Sequence, residues 1–339
     1  MHRLERIARA NGGFVTRSEV LAAGHDDHDV ADAALWTSVR RGVYAPKALY
    51  DTLDQRARHL LLLRSVLATR EDDVVATHDS AVVAHGLGDY GGRGTYGLDL
   101  DVAHVARVVG TTSRRTPSVA YHRGPVEPSS IVVVDGIRCV EPVRAVVETM
   151  TTVSLDAATV LASSWLAHER WDARRRGMVE LFDEESTKAG LRSALHALGR
   201  RRGARRAADG IAIADARCGS VAEVRFLVLC WEHDLPRPST QHEIAFGPDA
   251  YAEADFAWPE AGLVVEVDGM LKYADDPDRP GAARTRASAE KRRERALRDV
   301  GWSVIRITWA DLAPENRART AAYVRRELDK AARLRARRR

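Results

Sequence analysis

Hydrophobic and polar residues alternate along two neighbouring stretches in the last third of the chain, and this two-residue period predicts two β-strands. The first stretch, 252–258, places Asp255 on a polar face. The second, 263–268, places Glu266 and Asp268 together, opposite an apolar face. The four residues between the stretches, Pro-Glu-Ala-Gly, predict a turn. Burying two carboxylates without compensation is costly. Two explanations for their presence stay open: a bound divalent cation compensates them, or the hairpin lies at a sheet edge and its acidic face meets water.

The flanking segments extend this hairpin into a longer series of elements. Apolar residues recur with helical spacing over 220–231, whereas 242–246 and 302–308 alternate as strands do. Residues 285–299 and 315–334 are polar and rich in helix formers. The predicted order is therefore helix, three strands, helix, strand, helix.

This order and its polar residues resemble the PD-(D/E)XK nuclease superfamily, and most closely the small domain related to very-short-patch mismatch-repair endonucleases. The matching pieces are Glu223 on the first helix, Asp255, Glu266-Val-Asp-Gly269, Lys272-Tyr273 and Gly301-Trp-Ser-Val-Ile-Arg306. The likeness covers roughly residues 218 to 334, about a third of the chain. It implies a restriction-endonuclease-like αβββαβ core.

The resemblance also implies a reaction, which is hydrolysis of a DNA phosphodiester by water activated at Mg²⁺ or Mn²⁺. It implies that Asp255 and Glu266 bind the metal and that Glu223 assists. The family pattern has a lysine two residues after the glutamate, but this chain has Asp268 there. Lys272 is the expected substitute, and Asp268 would then be a third metal ligand. The alternative is a nuclease fold that has lost its reaction.

Basic residues near this domain suggest contacts with nucleic acid. Lys291 and Arg295, on the helix after the acidic strands, are candidates for binding DNA, and the alternative is that both are solvated surface residues. Lys291 is also a second substitute for the missing lysine. Residues 315–339 carry ten Arg or Lys against three Asp or Glu. Such a basic helix attracts a polyanion, although a frayed, solvated end has the same composition.

The N-terminal segment predicts a second DNA-binding module. Thr16-Arg-Ser-Glu19 fits a capping box and begins a helix that reaches Ala23. A first helix precedes it, and a third is predicted from Asp27 or Asp29 to Arg41. Three short helices followed by a β-wing, beginning at Gly42, describe a winged helix-turn-helix.

The third of these helices would read the major groove, and its expected DNA-facing residues are Thr37, Ser38, Arg40 and Arg41. The alternative is a small helical interaction domain without nucleic acid. The segment also resembles the N-terminal domain of AbiEi-type antitoxins, in which an α/β region follows. The pieces of that region matched here are Val74-Val-Ala-Thr-His-Asp-Ser-Ala81, Gly86-Leu87, Asp135-Gly-Ile-Arg-Cys-Val140 and the helix from Pro142.

Histidines carry no predicted site. His25 and His28 fall in a turn, where such residues usually cap helices. His78 and His85 bracket a short helix and are interpreted as core or surface residues. Asp99 alternates along a strand, and no partner follows it at metal-like spacing.

The predicted plan is a multi-domain α/β protein with a winged helix-turn-helix (1–49), an AbiEi-like α/β region (50–170), a helical linker (171–217) and a nuclease-like domain (218–339). The three cysteines are widely spaced, which predicts a reducing cytoplasm and no zinc motif. No apolar run reaches the length of a membrane span.

The leading functional hypothesis is a Mg²⁺-dependent DNA endonuclease, and the two resemblances suggest defence against foreign DNA as its setting. The alternative is a non-catalytic, antitoxin-like DNA-binding regulator. A homodimer, a toxin partner and operator DNA stay open as further partners.

Overall fold

The computed structural model describes residues 2–69, 74–88, 96–109, 113–124, 126–247, 250–268 and 293–338. The predicted roles of Lys272 and Lys291 lie outside these residues. The chain is a mixed α/β protein that divides into two compact units. Unit 1 comprises Met1–Leu161 and Ala189–Ala208, and unit 2 comprises Ala162–Lys188 and Asp209–Arg339.

The first fifty residues of unit 1 build a small three-stranded sheet in the order β1-β3-β2. Its elements are α1 (His2–Ala10), β1 (Val15–Thr16), α2 (Arg17–Ala22), β2 (Trp36–Arg40), β3 (Val43–Pro46) and α3 (Lys47–Tyr50). The predicted capping box is confirmed, since the Thr16 side chain accepts from the Glu19 amide and the Glu19 side chain accepts from the Thr16 amide. Strands β2 and β3 pair as an antiparallel hairpin.

The predicted third helix, up to Arg41, is wrong. Residues 24–35 form turns, and Trp36–Arg40 is a β-strand. Trp36 is buried in the cluster around Leu4 and Val20, while Ala34 is exposed. The hairpin with β3 therefore outweighs the local helical spacing, so Thr37 and Arg40 lie in a strand and not on a recognition helix.

The rest of unit 1 is organised around a six-stranded mixed sheet in the order β6-β7-β5-β4-β9-β8. Its strands are β4 (Val74–Ala76), β5 (Ala103–Arg107), β6 (Arg114–Arg115), β7 (Val119–His122), β8 (Ile131–Val134) and β9 (Ile137–Val140). Its helices are α4 (Gln55–Ala68), α5 (His78–Ala84) and α6 (Pro142–Met150). Three further helices contribute residues to both units: α7 (Leu155–Arg175), α8 (Glu184–Ala197) and α9 (Ala204–Ile213).

Unit 2 contains a four-stranded sheet in the order β10-β11-β12-β13, antiparallel except for the parallel pair β12 and β13. The strands are β10 (Ser239–Gly247), β11 (Ala250–Trp258), β12 (Leu263–Asp268) and β13 (Ser303–Thr308). The helices are α10 (Val221–Glu232), α11 (residues 293–299) and α12 (Arg317–Arg338). The described elements follow the predicted order of helix, three strands, helix, strand, helix.

Apolar side chains cover both faces of this sheet. The Phe226 ring of α10 packs at a tilt against Phe256 of β11, with 4.9 Å between the ring centroids. On the opposite face Ala257 and Val264 belong to a buried cluster with Leu297 of α11. The acidic residues of β12, Glu266 and Asp268, are buried in this sheet.

Candidate functional site

A row of polar residues crosses the sheet of unit 2, and it begins on β12 and β13. Glu266 of β12 stands opposite Arg306 of β13. Asp255 of β11 lies one position beyond the last paired residues of β11 and β12, which are Phe256 and Val265. Continuing that register makes Asp255 the neighbour of Glu266.

The row ends on β10. Gln241 stands across from Asp255, between two pairs of residues that keep the regular register of β10 and β11. Its backbone has a φ of +48°, which is rare outside glycine and breaks the regular strand. The row, in spatial order, is Gln241, Asp255, Glu266 and Arg306.

The strand pairing opens at Asp255. Its Oδ2 accepts a hydrogen bond of 2.8 Å from the backbone amide of Val267. In a regular ladder a backbone carbonyl would accept from this amide, but here the Asp255 side chain accepts. This hydrogen bond fixes the Asp255 carboxylate beside β12. Asp255 is half-buried, whereas Glu266 is buried.

Glu223 reaches this row from the first turn of α10. It accepts hydrogen bonds from the Gly219 amide (2.8 Å) and the Ser220 hydroxyl (2.8 Å). Its Oε2 also accepts from Nε2 of Gln241 at 3.1 Å, which joins it to the row. Burial raises the pKa of Glu223, the Gly219 amide opposes this rise, and the negative charge of Asp255 adds to it. The three carboxyl groups named by the sequence, on residues 223, 255 and 266, therefore meet in one region.

Two arginines neutralise the acidic end of β12. Nη2 of Arg293 lies 2.9 Å from Oε1 of Glu266, and Nη1 of Arg306 lies 3.7 Å from Oδ2 of Asp268. Arg293 also donates to the backbone carbonyl of Glu253. Arg293 and Gln241 were missed in the sequence, and Arg306 was noted only as the end of the matched piece Gly301-Trp-Ser-Val-Ile-Arg306.

A polar groove lies along β10. Its volume is about 740 Å³, and it is lined by Glu184, Asp215, Arg217 and the residues from Pro238 to Glu243. Because Gln241 belongs both to this lining and to the row, the groove reaches the candidate site. No pattern in the sequence indicates this groove, since its walls come from three separate segments.

Two carboxylates in this row suit a magnesium ion. Within the part of the chain that the structure describes, no group of three or more His, Cys, Asp or Glu side chains is arranged for a metal ion. Mg²⁺ is commonly bound by only one or two carboxylates, with water completing its shell. Asp255 and Glu266, next to each other on neighbouring strands, meet that requirement.

The residues predicted to contact DNA are distributed over both units. In unit 1 the guanidinium of Arg40 donates to the Ser65 hydroxyl (2.9 Å) and carbonyl (2.7 Å), so it binds α4. Arg41 is exposed in the turn between β2 and β3. In unit 2 Arg295 is exposed on α11. Contact of these residues, and of Thr37, with DNA stays a prediction.

The basic helix α12 is fixed to unit 2 by a few of its arginines. Arg317 pairs with Glu232 at 2.7 Å, and Arg335 lies over the Trp302 ring at 5.3 Å from its centroid. Other arginines of this helix are exposed, namely Arg319, Arg325, Arg326, Arg333, Arg337 and Arg338. The helix therefore presents positive charge to solvent.

No family model matches the chain. It is 29% identical over 131 residues to the uncharacterized proteins MT2308 and Rv2248 of two Mycobacterium tuberculosis strains, CDC 1551 / Oshkosh and ATCC 25618 / H37Rv. The match covers 39% of this chain and 45% of each relative, so the chain spans about half the length of these curated relatives. No helix among the described residues is long and apolar enough to cross a membrane.

Proposed function

We propose that unit 2 is a metal-dependent nuclease domain that hydrolyses phosphodiester bonds of DNA. The observation that carries this proposal is the adjacency of Asp255 and Glu266 on paired central strands, with Glu223 hydrogen-bonded to the same row. An apolar sheet that served only for packing would be more stable with hydrophobic residues at these positions. Binding of a metal cation and catalysis of hydrolysis therefore best explain the acidic residues of this row.

Three residues of the row, and Glu223 beside it, have defined tasks in this proposal. Asp255 and Glu266 would hold the Mg²⁺ or Mn²⁺ ion, and that ion would supply an activated water and neutralise charge on the phosphate. Gln241 and Glu223 keep the β10 side of the site polar and orient solvent there. The amide of Val267 holds the Asp255 carboxylate in one orientation through its 2.8 Å hydrogen bond.

The exposed arginines of α12 supply affinity for DNA in this proposal. They attract the phosphate backbone and do not read sequence. Replacing Arg326 and Arg333 together by Ala should weaken DNA binding by a similar factor for unrelated sequences. It should also lower the slope of log affinity against log salt by about one for each phosphate that the variant no longer neutralises. Fluorescence anisotropy over a salt series measures both quantities, and an unchanged slope would exclude α12 from the interface.

A DNA-binding protein without hydrolysis is the second candidate, and it rests on the ion pairs. Glu266 and Asp268 already have Arg293 and Arg306 as cationic partners. Asp268 also stands where the nuclease pattern has a lysine. In this candidate the arginines replace the metal permanently, and the domain contributes binding alone.

Cleavage of supercoiled plasmid by the full chain distinguishes the two candidates. The reaction is run in Mg²⁺, Mn²⁺ or EDTA with the wild type, Asp255→Asn and Glu266→Gln. Glu260→Gln, an exposed acidic residue in the turn between β11 and β12, is the matched control. For a nuclease we expect metal-dependent nicking that falls at least a hundredfold in the two row variants and not in the control. Salt-sensitive DNA binding without cleavage by the wild type would support the second candidate.

A further inference from the structure

The last two turns of α7, which belong to unit 2, present an exposed aromatic ring among basic side chains. Trp171 is 55% exposed, although tryptophan is largely buried in most proteins. Arg174 and Arg175 follow it three and four residues later, so the three side chains share one side of the helix. Together with Arg170, which lies four residues before Arg174, they are called the Trp171 patch.

The backbone fixes the helix end that carries this patch. The Met178 amide donates to the Ala173 carbonyl at 2.8 Å, and the Gly177 amide donates to the Arg174 carbonyl at 3.0 Å. Gly177 has a φ of +70°, the left-handed conformation that commonly closes a helix at its C-terminus. The Trp171 patch therefore lies on a regular, capped helix and not on a frayed end.

The Trp171 ring has room for a second flat group. The guanidinium of Arg175 lies over the ring at 4.7 Å from its centroid, yet more than half of Trp171 stays exposed. Helical side chains lean toward the N-terminus, and the residue one turn before Trp171 is Ala167, whose methyl group takes little space beside the ring. A nucleobase is a flat group that stacks on such a ring.

The patch also carries positive charge that no acidic side chain neutralises. Residues 168–176 contain four arginines against two acidic residues. Asp172 is paired with Arg176 at 2.6 Å, whereas Arg170 and Arg174 have no ion-pair partner in the part of the chain that the structure describes. The negative end of the helix dipole explains basic residues in a last turn, but it does not explain an exposed tryptophan beside them.

We propose that the Trp171 patch binds single-stranded DNA. A base stacks on the Trp171 ring, while Arg170 and Arg174 contact phosphates of the neighbouring nucleotides. Duplex DNA does not offer this contact, because its base faces are stacked on one another inside the helix. A second copy of this chain is disfavoured as the occupant, because it would bring two positively charged patches face to face. The choice of DNA over RNA rests on the proposed function of unit 2.

The patch is joined to the polar groove by a short segment. Residues 176–183 connect the end of α7 to Glu184, which begins α8 and forms part of the groove wall. The nine residue steps from Arg175 to Glu184 span at most about 32 Å. The groove contains Gln241 of the acidic row, so one DNA strand several nucleotides long can reach from the patch toward the row. DNA with a single-stranded part is the substrate class that follows, and this step rests on the proposed function.

Fluorescence anisotropy of a labelled oligo-dT of about 16 nucleotides, titrated with the full chain in EDTA, tests the proposal. Trp171→Ala should weaken binding about tenfold, and Trp171→Phe, which keeps a ring for stacking, should lose much less. Trp231→Ala is the matched control, because Trp231 of the same unit is 51% exposed but is followed by Glu232, and it should leave the affinity unchanged. Binding of a duplex of the same length should be nearly the same in Trp171→Ala and the wild type.

Several results would overturn the proposal. These are an unchanged affinity of Trp171→Ala for oligo-dT, the same loss in Trp231→Ala, an equal loss for the duplex, and tighter binding of an oligo-rU than of the oligo-dT. Sedimentation supplies a further one, because a dimer that Trp171→Ala converts to a monomer would make the patch an interface between copies. Trp171 is exposed, so its variants are expected to fold, and circular dichroism confirms this first. Since EDTA prevents metal-dependent cleavage, failure of this binding and failure of plasmid nicking are separate results.

Discussion

The acidic row of unit 2 and the histidine cluster of unit 1 place polar groups inside two different sheets, and they do so in different ways. The cluster consists of His78, His104 and His122. On β12, Glu266 of the row and Asp268 beyond it have arginine partners, which are Arg293 and Arg306 respectively. In the cluster the imidazoles contact one another, and Glu148 is the carboxylate that anchors them through Thr77.

This difference has a physical origin in distance along the chain. The acidic residues of the row lie on a hairpin, so strand alternation alone puts them side by side. The histidines come from residues 78, 104 and 122, and only the order of strands in the sheet makes them neighbours. A polar site built locally can be found by periodicity, whereas one built by topology cannot.

The largest effect should come from the anchor of the histidine cluster. Glu148→Ala removes the acceptor of the Thr77 hydroxyl and the partner of Arg144 while leaving both nearly in place. Because this leaves a buried network half-satisfied, we expect unit 1 to lose about 3 kcal/mol of unfolding free energy. Urea denaturation followed by circular dichroism measures the loss, with the exposed Glu127→Ala as control. A cost below about 1 kcal/mol would mean that the cluster does not depend on its carboxylate.

A smaller loss of stability is expected for a variant beside the row, and the size of this loss should depend on whether a metal ion is bound. Arg293→Gln removes a partner of the buried Glu266 and should lower stability by about 1–2 kcal/mol in EDTA. If a cation occupies the row, 10 mM Mg²⁺ should raise the melting temperature of this variant more than that of the wild type, because binding stabilises the folded state. Equal shifts in both proteins would favour the second candidate, in which the arginines replace the metal.

The smallest effect should come from a polar group whose partners lie within one helical turn. Thr16→Ala removes the hydroxyl that caps α2 and should cost about 1 kcal/mol. Thr16→Ser keeps that hydroxyl and serves as the control. The difference between these two variants gives the unfolding free energy contributed by a polar interaction between neighbouring residues. The loss caused by Glu148→Ala is compared with that value. Equal costs for Thr16→Ala and Glu148→Ala would remove the contrast between local and topological sites.

The correct and the incorrect sequence predictions also differ in how far apart in the chain the contacting residues lie. The capping box at Thr16 and the strand carrying Glu266 were predicted correctly, because their partners lie close in sequence. The helix up to Arg41 was not, because Trp36 gains more by packing against Leu4 and Val20 in a strand than it would on an exposed helix. His78 was interpreted as an ordinary core or surface residue, since nothing near it in sequence shows His104 or His122.

The sequence by itself determined the order of elements in unit 2 and the shared face of Glu266 and Asp268, because strand periodicity is a property of consecutive residues. Only the tertiary structure decided which groups would meet these carboxylates and which histidines would meet one another. Those contacts depend on strand order, on the register between strands and on the packing of α10 and α11. These are set by burial summed over each unit, and no short segment contains that information.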